Sequence, residues 1–186
     1  VSFNNGSRKE FYRNSTTHFF EKGDMITVEG VAGFDVGSIN LTGEIVRLQL
    51  KKNGVSETDP EIKKILRRAG DRDLEMLEKN KARETEAVIR SRAIAKQLNL
   101  AMKISEVEIQ ADGRKATFYY IADDRVDFRE LIKVFARDFK VKVEMRQIGA
   151  RQEAAKVGGI GSCGRELCCS SWLTDFKSVN TTAARY

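Results

Sequence analysis

Asp112-Gly113 lies between two stretches of alternating apolar residues, and this pair limits the fold more than any other feature of the chain. Asp-Gly at such a place is a two-residue hairpin turn, because the second position needs the positive φ that glycine adopts freely. Met102 to Ala111 reads as the incoming strand. Met102 and Ile104 share one phase and Val107 and Ile109 the other, so the slip at Ser105-Glu106 predicts a bulge. Ala116 to Ile121 returns as the partner strand. Asp123-Asp124-Arg125 then turns into a helix, with Asp127 expected at the N-cap and Glu130 completing a capping box. Phe128, Leu131, Ile132, Phe135 and Phe139 recur at helical spacing and read as core. Val141, Val143 and Met145 alternate with charged residues, which predicts a third strand with one buried face. Helix, strand, strand, helix, strand is most of a split β-α-β arrangement, an antiparallel sheet with helices on one face. Ile45 to Leu50 is the expected source of its missing strand.

Upstream the pattern is shorter in period. Phe19-Phe20 is read as a strand start, Met25 to Val28 as a strand, and Phe34 to Leu41 as another that Gly37 weakens. Gly43 to Leu50, with Val46, Leu48 and Leu50 on one face, gives the clearest strand signal. Together these predict a small β module over residues 1–58. Asp59-Pro60 is expected to start a short helix reaching Ala69. Asp71 or Asp73 is expected to cap a second helix ending near Leu98, about 26 residues or roughly 39 Å long. Its middle is charged, so residues 59–100 read as a helical connector and residues 101–186 as an α+β domain. Lys79, Lys81, Arg83, Arg90 and Arg92 on that helix are candidates for contact with RNA or DNA. No aromatic residues are interleaved with them to stack on bases, and a solvated face is the blander reading.

All three cysteines fall in one glycine-rich window, Gly158-Gly-Ile-Gly-Ser-Cys163-Gly-Arg-Glu-Leu-Cys168-Cys169. Thiolates are soft, charged ligands for zinc and iron–sulfur clusters. Closed sites of either kind take about four ligands, and this chain offers three sulfurs. The missing ligand must then come from another chain, a bound small molecule or a further C-terminal segment. Three other chemistries compete. A nucleophilic cysteine needs a base, and the sole histidine, His18, has no sequence link to the loop. Gly159-x-Gly161-x-x-Gly164 spells a dinucleotide fingerprint but lacks the strand before it and the acidic residue after it. A tight structural loop of inert cysteines needs no ligand at all. Trp172 and Phe176 follow as an expected apolar lid, and Lys177 to Tyr186 as a loop or frayed end.

Three motifs, Val126-Asp-Phe-Arg-Glu-Leu131, Arg146-Gln-Ile-Gly149-Ala-Arg151-Gln-Glu153-Ala-Ala155, and Gly158 through Cys169 on to Phe176, occur in this order. The set resembles the RicT (YaaT) family, whose members share a PSP-type conserved C-terminal region. The resemblance implies a cytoplasmic bacterial protein without catalysis of its own. It implies a complex with two small helical proteins, RicA and RicF, that carries iron–sulfur clusters of the 4Fe–4S type and acts with ribonuclease Y in RNA maturation. By the same resemblance Cys163, Cys168 and Cys169 are cluster ligands, shared with other chains or with a further C-terminal segment. Family members usually continue past a position like Tyr186.

Composition sets bounds on these readings. With 186 residues, 41% hydrophobic and 32% charged, the chain has the make-up of one large or two small globular domains. A net charge of +6 favours approach to RNA or to an acidic partner without establishing binding. No run of residues has the length and apolarity of a membrane span, and an odd, clustered set of cysteines fits a reducing cytoplasm better than a secreted disulfide framework. The sequence thus predicts an α+β protein, in which a small N-terminal β module joins a split β-α-β-like sheet. Its expected function is that of a non-enzymatic regulatory scaffold, the alternative being a general nucleic-acid-binding module with a structural cysteine loop or zinc site.

Overall fold

The computed structural model describes residues 1–6, 8–31 and 33–173. The chain divides into two compact units, Val1–Gln147 and Ile148–Tyr186. The fold is α+β.

The first unit opens with β1 (Ser2–Phe3), β2 (Arg8–Lys9), β3 (Arg13–Asn14), β4 (Met25–Glu29) and β5 (Phe34–Ser38), then α1 (Glu44–Lys52) and β6 (Lys64–Arg68). These strands form one six-stranded sheet in the order β2-β1-β5-β4-β6-β3. Phe3, Phe20, Ile26, Val28, Ile39 and Ile65 fill its core. Phe20 is buried from a loop rather than from a strand, and Phe19 beside it is exposed.

Two expectations in this half fail, each where two periods compete. Glu44 to Lys52 is a helix, not the strand expected from Val46, Leu48 and Leu50. Val46 and Leu50 are also i,i+4 neighbours on a helix, and Glu44 pairs with Arg47 at 2.6 Å. The deciding signal is Asn53-Gly54. The Val55 amide donates to the Leu50 carbonyl and the Gly54 amide to the Lys51 carbonyl, both at 3.0–3.1 Å, a Schellman stop with Gly54 at φ 68°. Conversely, the helix expected from Asp59 is absent, and Lys64–Arg68 is a strand. Asp59 turns its carboxylate onto the Glu61 amide at 2.9 Å and closes a local turn. Ile65 is then buried between antiparallel β4 and parallel β3. With residues 44–52 helical, no strand from that stretch joins the second sheet.

The rest of the first unit is α2 (Asp71–Gln97), β7 (Lys103–Ile109), β8 (Lys115–Ile121), α3 (Arg129–Phe139) and β9 (Lys142–Gln147). Its three-stranded sheet runs β7-β8-β9. The hairpin forms at Asp112-Gly113, with Gly113 at φ 71°, but its loop runs from Ala111 to Arg114 rather than over two residues. The Gln110 amide donates to the Lys115 carbonyl and the Gly113 amide to the Gln110 carbonyl. The register shift falls between Ile104 and Glu106 and brings Ile104, Val107 and Ile109 into one core. The β7–β8 pair is antiparallel, whereas β9 returns through α3 and lies parallel to β8. The α3 stripe packs as predicted, with Phe118 stacked on Phe135 at 4.5 Å and Phe139 against both. The start of α3 differs by one residue. Phe128 holds the N-cap position, and Asp127 accepts the Arg129 amide instead of closing a box with Glu130.

α2 spans 27 residues and starts at Gly70, whose amide donates to Asp73. Neither Asp71 nor Asp73 is the N-cap; Asp73 sits three residues inside and also binds Arg67 and Thr27. The polar middle of α2 has a structural use. Asn80, Glu84 and Arg92 supply the backbone of β7 and of its turn with partners. Among the described residues, no helix is long and apolar enough to cross a membrane.

Candidate functional site

The second unit carries the cysteines. Two glycine-bounded segments shape it. Gly149 precedes α4 (Ala150–Val157), and its amide donates to the Gln152 side chain at 3.0 Å. The sequence suggested a single turn here; the helix runs to eight residues. It ends at Gly158, whose φ of 75° is a left-handed value that favours glycine.

Beyond α4 the chain folds back on itself. Ile160 bridges Glu166 in antiparallel fashion. The Gly161 amide donates to the Arg165 carbonyl at 2.8 Å, the Gly164 amide to Gly161 at 2.9 Å, and the Leu167 amide to Gly159 at 3.0 Å. Gly161 to Gly164 is thus a β-turn, with Ser162 and Cys163 as its central residues. The glycines are there for the turn and for the Leu167 side chain, which packs 3.5 Å from the Cβ position of Gly159. The amides of Gly161, Gly164 and Leu167 are committed to carbonyls, and the segment before the glycines is α4, not a strand. The dinucleotide spelling is therefore a coincidence of hairpin chemistry.

Directly after the hairpin comes a short helix, α5 (Cys168–Ser171). The Leu167 carbonyl accepts the Ser170 and Ser171 amides and the Ser171 hydroxyl. Cys163 therefore stands at the hairpin tip and Cys168-Cys169 on the first turn of α5. All three thiols are free; Cys163 and Cys168 are exposed and Cys169 is half-buried. The loop therefore does not bury Cys163 or Cys168, and it covers Cys169 only in part. Trp172 is 71% exposed, and Phe176, its expected partner in a lid, lies outside the described residues, as do Lys177 to Tyr186.

Thiolates suit zinc or an iron–sulfur cluster in kind. Their number does not suit a closed site, since three sulfurs fall short of four. Among the described residues, no three His, Cys, Asp or Glu side chains gather closely enough to hold a metal ion. A complete cluster site does not fit the described part of this chain alone.

The basic candidates lie on α2 in the first unit. Arg92 donates to the Ile104 and Ser105 carbonyls at 2.7 and 3.2 Å, at the β7 bulge. Arg90 faces Asp138 at 3.7 Å and the Phe139 ring. Arg83 reaches Asn80 at 3.4 Å; Lys79 is exposed and Lys81 half-buried. His18 is exposed on the first unit. The sequence reading missed a cluster there, in which Arg8 joins Glu10, Asp35 and Glu108. Charged residues one hundred positions apart give no local pattern, so nothing in the sequence flagged it.

Residues 63–148 match the family model described as the PSP1 C-terminal conserved region. That match covers β6 through β9 and stops before the cysteine loop. "Stage 0 sporulation protein YaaT" of Bacillus subtilis is 38% identical over 177 residues, which is 95% of this chain and 62% of that protein. An uncharacterized protein of Schizosaccharomyces pombe is 35% identical over 83 residues, 45% of this chain and 11% of its own length. "Protein PSP1" of Saccharomyces cerevisiae is 43% identical over 44 residues, 24% of this chain and 5% of that protein. The chain therefore spans less than two thirds of each of these relatives. No solved structure matches it. With the PSP1 region underlying its second sheet and a likeness to YaaT along nearly all its sequence, the chain belongs to the YaaT (RicT) family.

Proposed function

We propose that the chain is a non-enzymatic regulatory scaffold of the cytoplasm, whose cysteine loop contributes thiolates to an iron–sulfur cluster shared with other chains. Cys163, Cys168 and Cys169 are its ligands. The 4Fe–4S type, the small helical partners resembling RicA and RicF, and the link to ribonuclease Y in RNA maturation follow the family resemblance. The observation that carries the reading is the exposure of Cys163 and Cys168. Cys163 at the hairpin tip and Cys168 at the helix start are exposed, and three sulfurs are one fewer than a closed site takes, which suits a site gathered and closed by a second surface. A cluster held this way supplies no chemistry to substrate in this reading; it joins chains.

The test is assembly. Full-length protein, co-expressed anaerobically with the RicA- and RicF-like chains, is expected to elute as one iron-containing complex. The Cys163→Ser, Cys168→Ser and Cys169→Ser variants are expected to lose the iron. Iron retained at the wild-type level by the triple variant overturns the assignment. The nucleic-acid reading has less support, because Arg92 is committed to backbone carbonyls and Arg90 stands beside Asp138.

A further inference from the structure

The six-stranded sheet and α1 border a cavity of about 830 Å³. Ligand pockets run from roughly 300 to 1,000 Å³ and are mostly apolar with a few placed polar groups. This one fits that description. Phe20, Ile39, Val46, Leu50, Ile62 and Ile65 line its walls.

Its charged lining is the informative part. Among the acids, Glu10 accepts from Arg8 and from the Tyr12 hydroxyl, and Glu57 faces Arg47 at 3.4 Å. Arg13 is different. It donates to the Glu57 and Asp59 carbonyls at 2.9 and 3.2 Å, which hold the guanidinium in place without neutralising it. Of the lining side-chain cations, Arg47 pairs with Glu44 and Glu57, whereas neither Arg13 nor Lys9 has a carboxylate partner among the described residues. A fixed cation on an apolar wall calls for a ligand that is mostly hydrocarbon with one negative end.

One wall rests on little buried surface. Leu50 is the sole buried residue of α1. The helix is bounded by Gly43 at φ 70° and Gly54 at φ 68°, and neither glycine has an atom within 4 Å of its Cβ position.

We propose that this cavity binds a long-chain amphiphile with a single anionic head, the chain lying against Phe20, Ile39, Val46, Leu50, Ile62 and Ile65 and the head meeting Arg13. The site lies wholly within the first unit and does not depend on the cysteine loop.

Titration of the full chain with dansyl-undecanoic acid tests it, with palmitate and hexadecanol as competitors. Saturable fluorescence that palmitate displaces is expected. Val46→Trp and Ile62→Trp fill the cavity and are expected to weaken the probe by about tenfold or more. Arg13→Gln is expected to weaken palmitate by about fivefold and leave hexadecanol unchanged, since only the acid uses the charge. Absence of saturable binding in the wild type, or tryptophan variants that fold and bind as well as wild type, overturns the site. If both tryptophan variants unfold, the Arg13→Gln comparison decides, and equal loss of acid and alcohol contradicts the assigned head position.

Discussion

Arg8 donates its Nε to Glu108 Oε1 at 2.8 Å, which ties β2 of the six-stranded sheet to β7 of the three-stranded one. The same guanidinium reaches Asp35 at 2.6 Å and Glu10 at 2.9 Å, and lies over the Phe3 ring. Burial opposes its charge, but Glu108, Asp35 and Glu10 outweigh that and hold its pKa above the ordinary arginine value. Removing the cation strands three carboxylates at a half-buried joint. Arg8→Met is expected to lower unfolding free energy by about 3 kcal/mol in urea titrations. A loss no larger than that of an exposed ion pair contradicts the joint.

Asn80 is the second fastening. Its Nδ2 donates to the Ala111 carbonyl at 2.8 Å and to Gln110 at 3.3 Å, inside the hairpin turn. It is 6% exposed, so water cannot replace it. Asn80→Ala leaves buried carbonyls without a donor and is expected to cost about 2 kcal/mol. Amide exchange in the turn at Gln110 to Arg114 is expected to quicken with it. An unchanged melting temperature counts against the role.

Glu84 makes stability depend on pH. Burial raises its pKa to about 7, the Ile109 amide opposes the rise, and Glu108 and Glu106 add to it while Lys81 subtracts. Unfolded, the group gives up its proton near 4.5; folded, it keeps it to about 7. Between those values the folded state binds the extra proton, so stability falls as pH rises through the window. Glu84→Gln keeps an acceptor for Ile109 and removes the titration. Relative to that variant, the wild type is expected to lose about 1 kcal/mol across the window, after allowance for solvent screening. Parallel stability profiles for the two proteins contradict the assignment.

Much of this architecture is written locally. The hairpin at Asp112-Gly113, the α3 stripe and the alternation of Val141, Val143 and Met145 each carry one signal without a rival, and each element forms, the hairpin with a longer loop than the expected two residues. The failures at 44–52 and 64–68 have the opposite cause. Val46, Leu48 and Leu50 alternate as a strand would, but Val46 and Leu50 are also i,i+4 neighbours on a helix, and the Asn53-Gly54 stop decides for the helix with Leu48 exposed. Ile62, Ile65 and Leu66 have helical spacing, which the pairing of β6 with its neighbours overrides. The polar middle of α2 suggested solvent because the sequence shows no partner for Asn80 or Arg92; those partners are backbone groups of β7 and its turn. The cysteine loop was legible as a place, since glycine and cysteine crowd there, but its exposure was not, because spacing carries no information about which way a turn faces.

The thiols themselves give a simple prediction. Cys163 and Cys168 are exposed and Cys169 is half-buried. Iodoacetamide at neutral pH is expected to label the first two at similar rates and Cys169 more slowly, by mass spectrometry of the intact chain. One cysteine far faster than both others points instead to a redox thiol.

The most direct measurement is anaerobic iron–sulfide reconstitution of the full-length protein with the proposed RicA- and RicF-like chains, read by visible spectrum and by iron, sulfide and zinc counts. The account predicts a broad visible band with bound iron and sulfide, lost when Cys163, Cys168 or Cys169 becomes serine. A colourless, iron-free complex, or a band that survives all three substitutions, contradicts it.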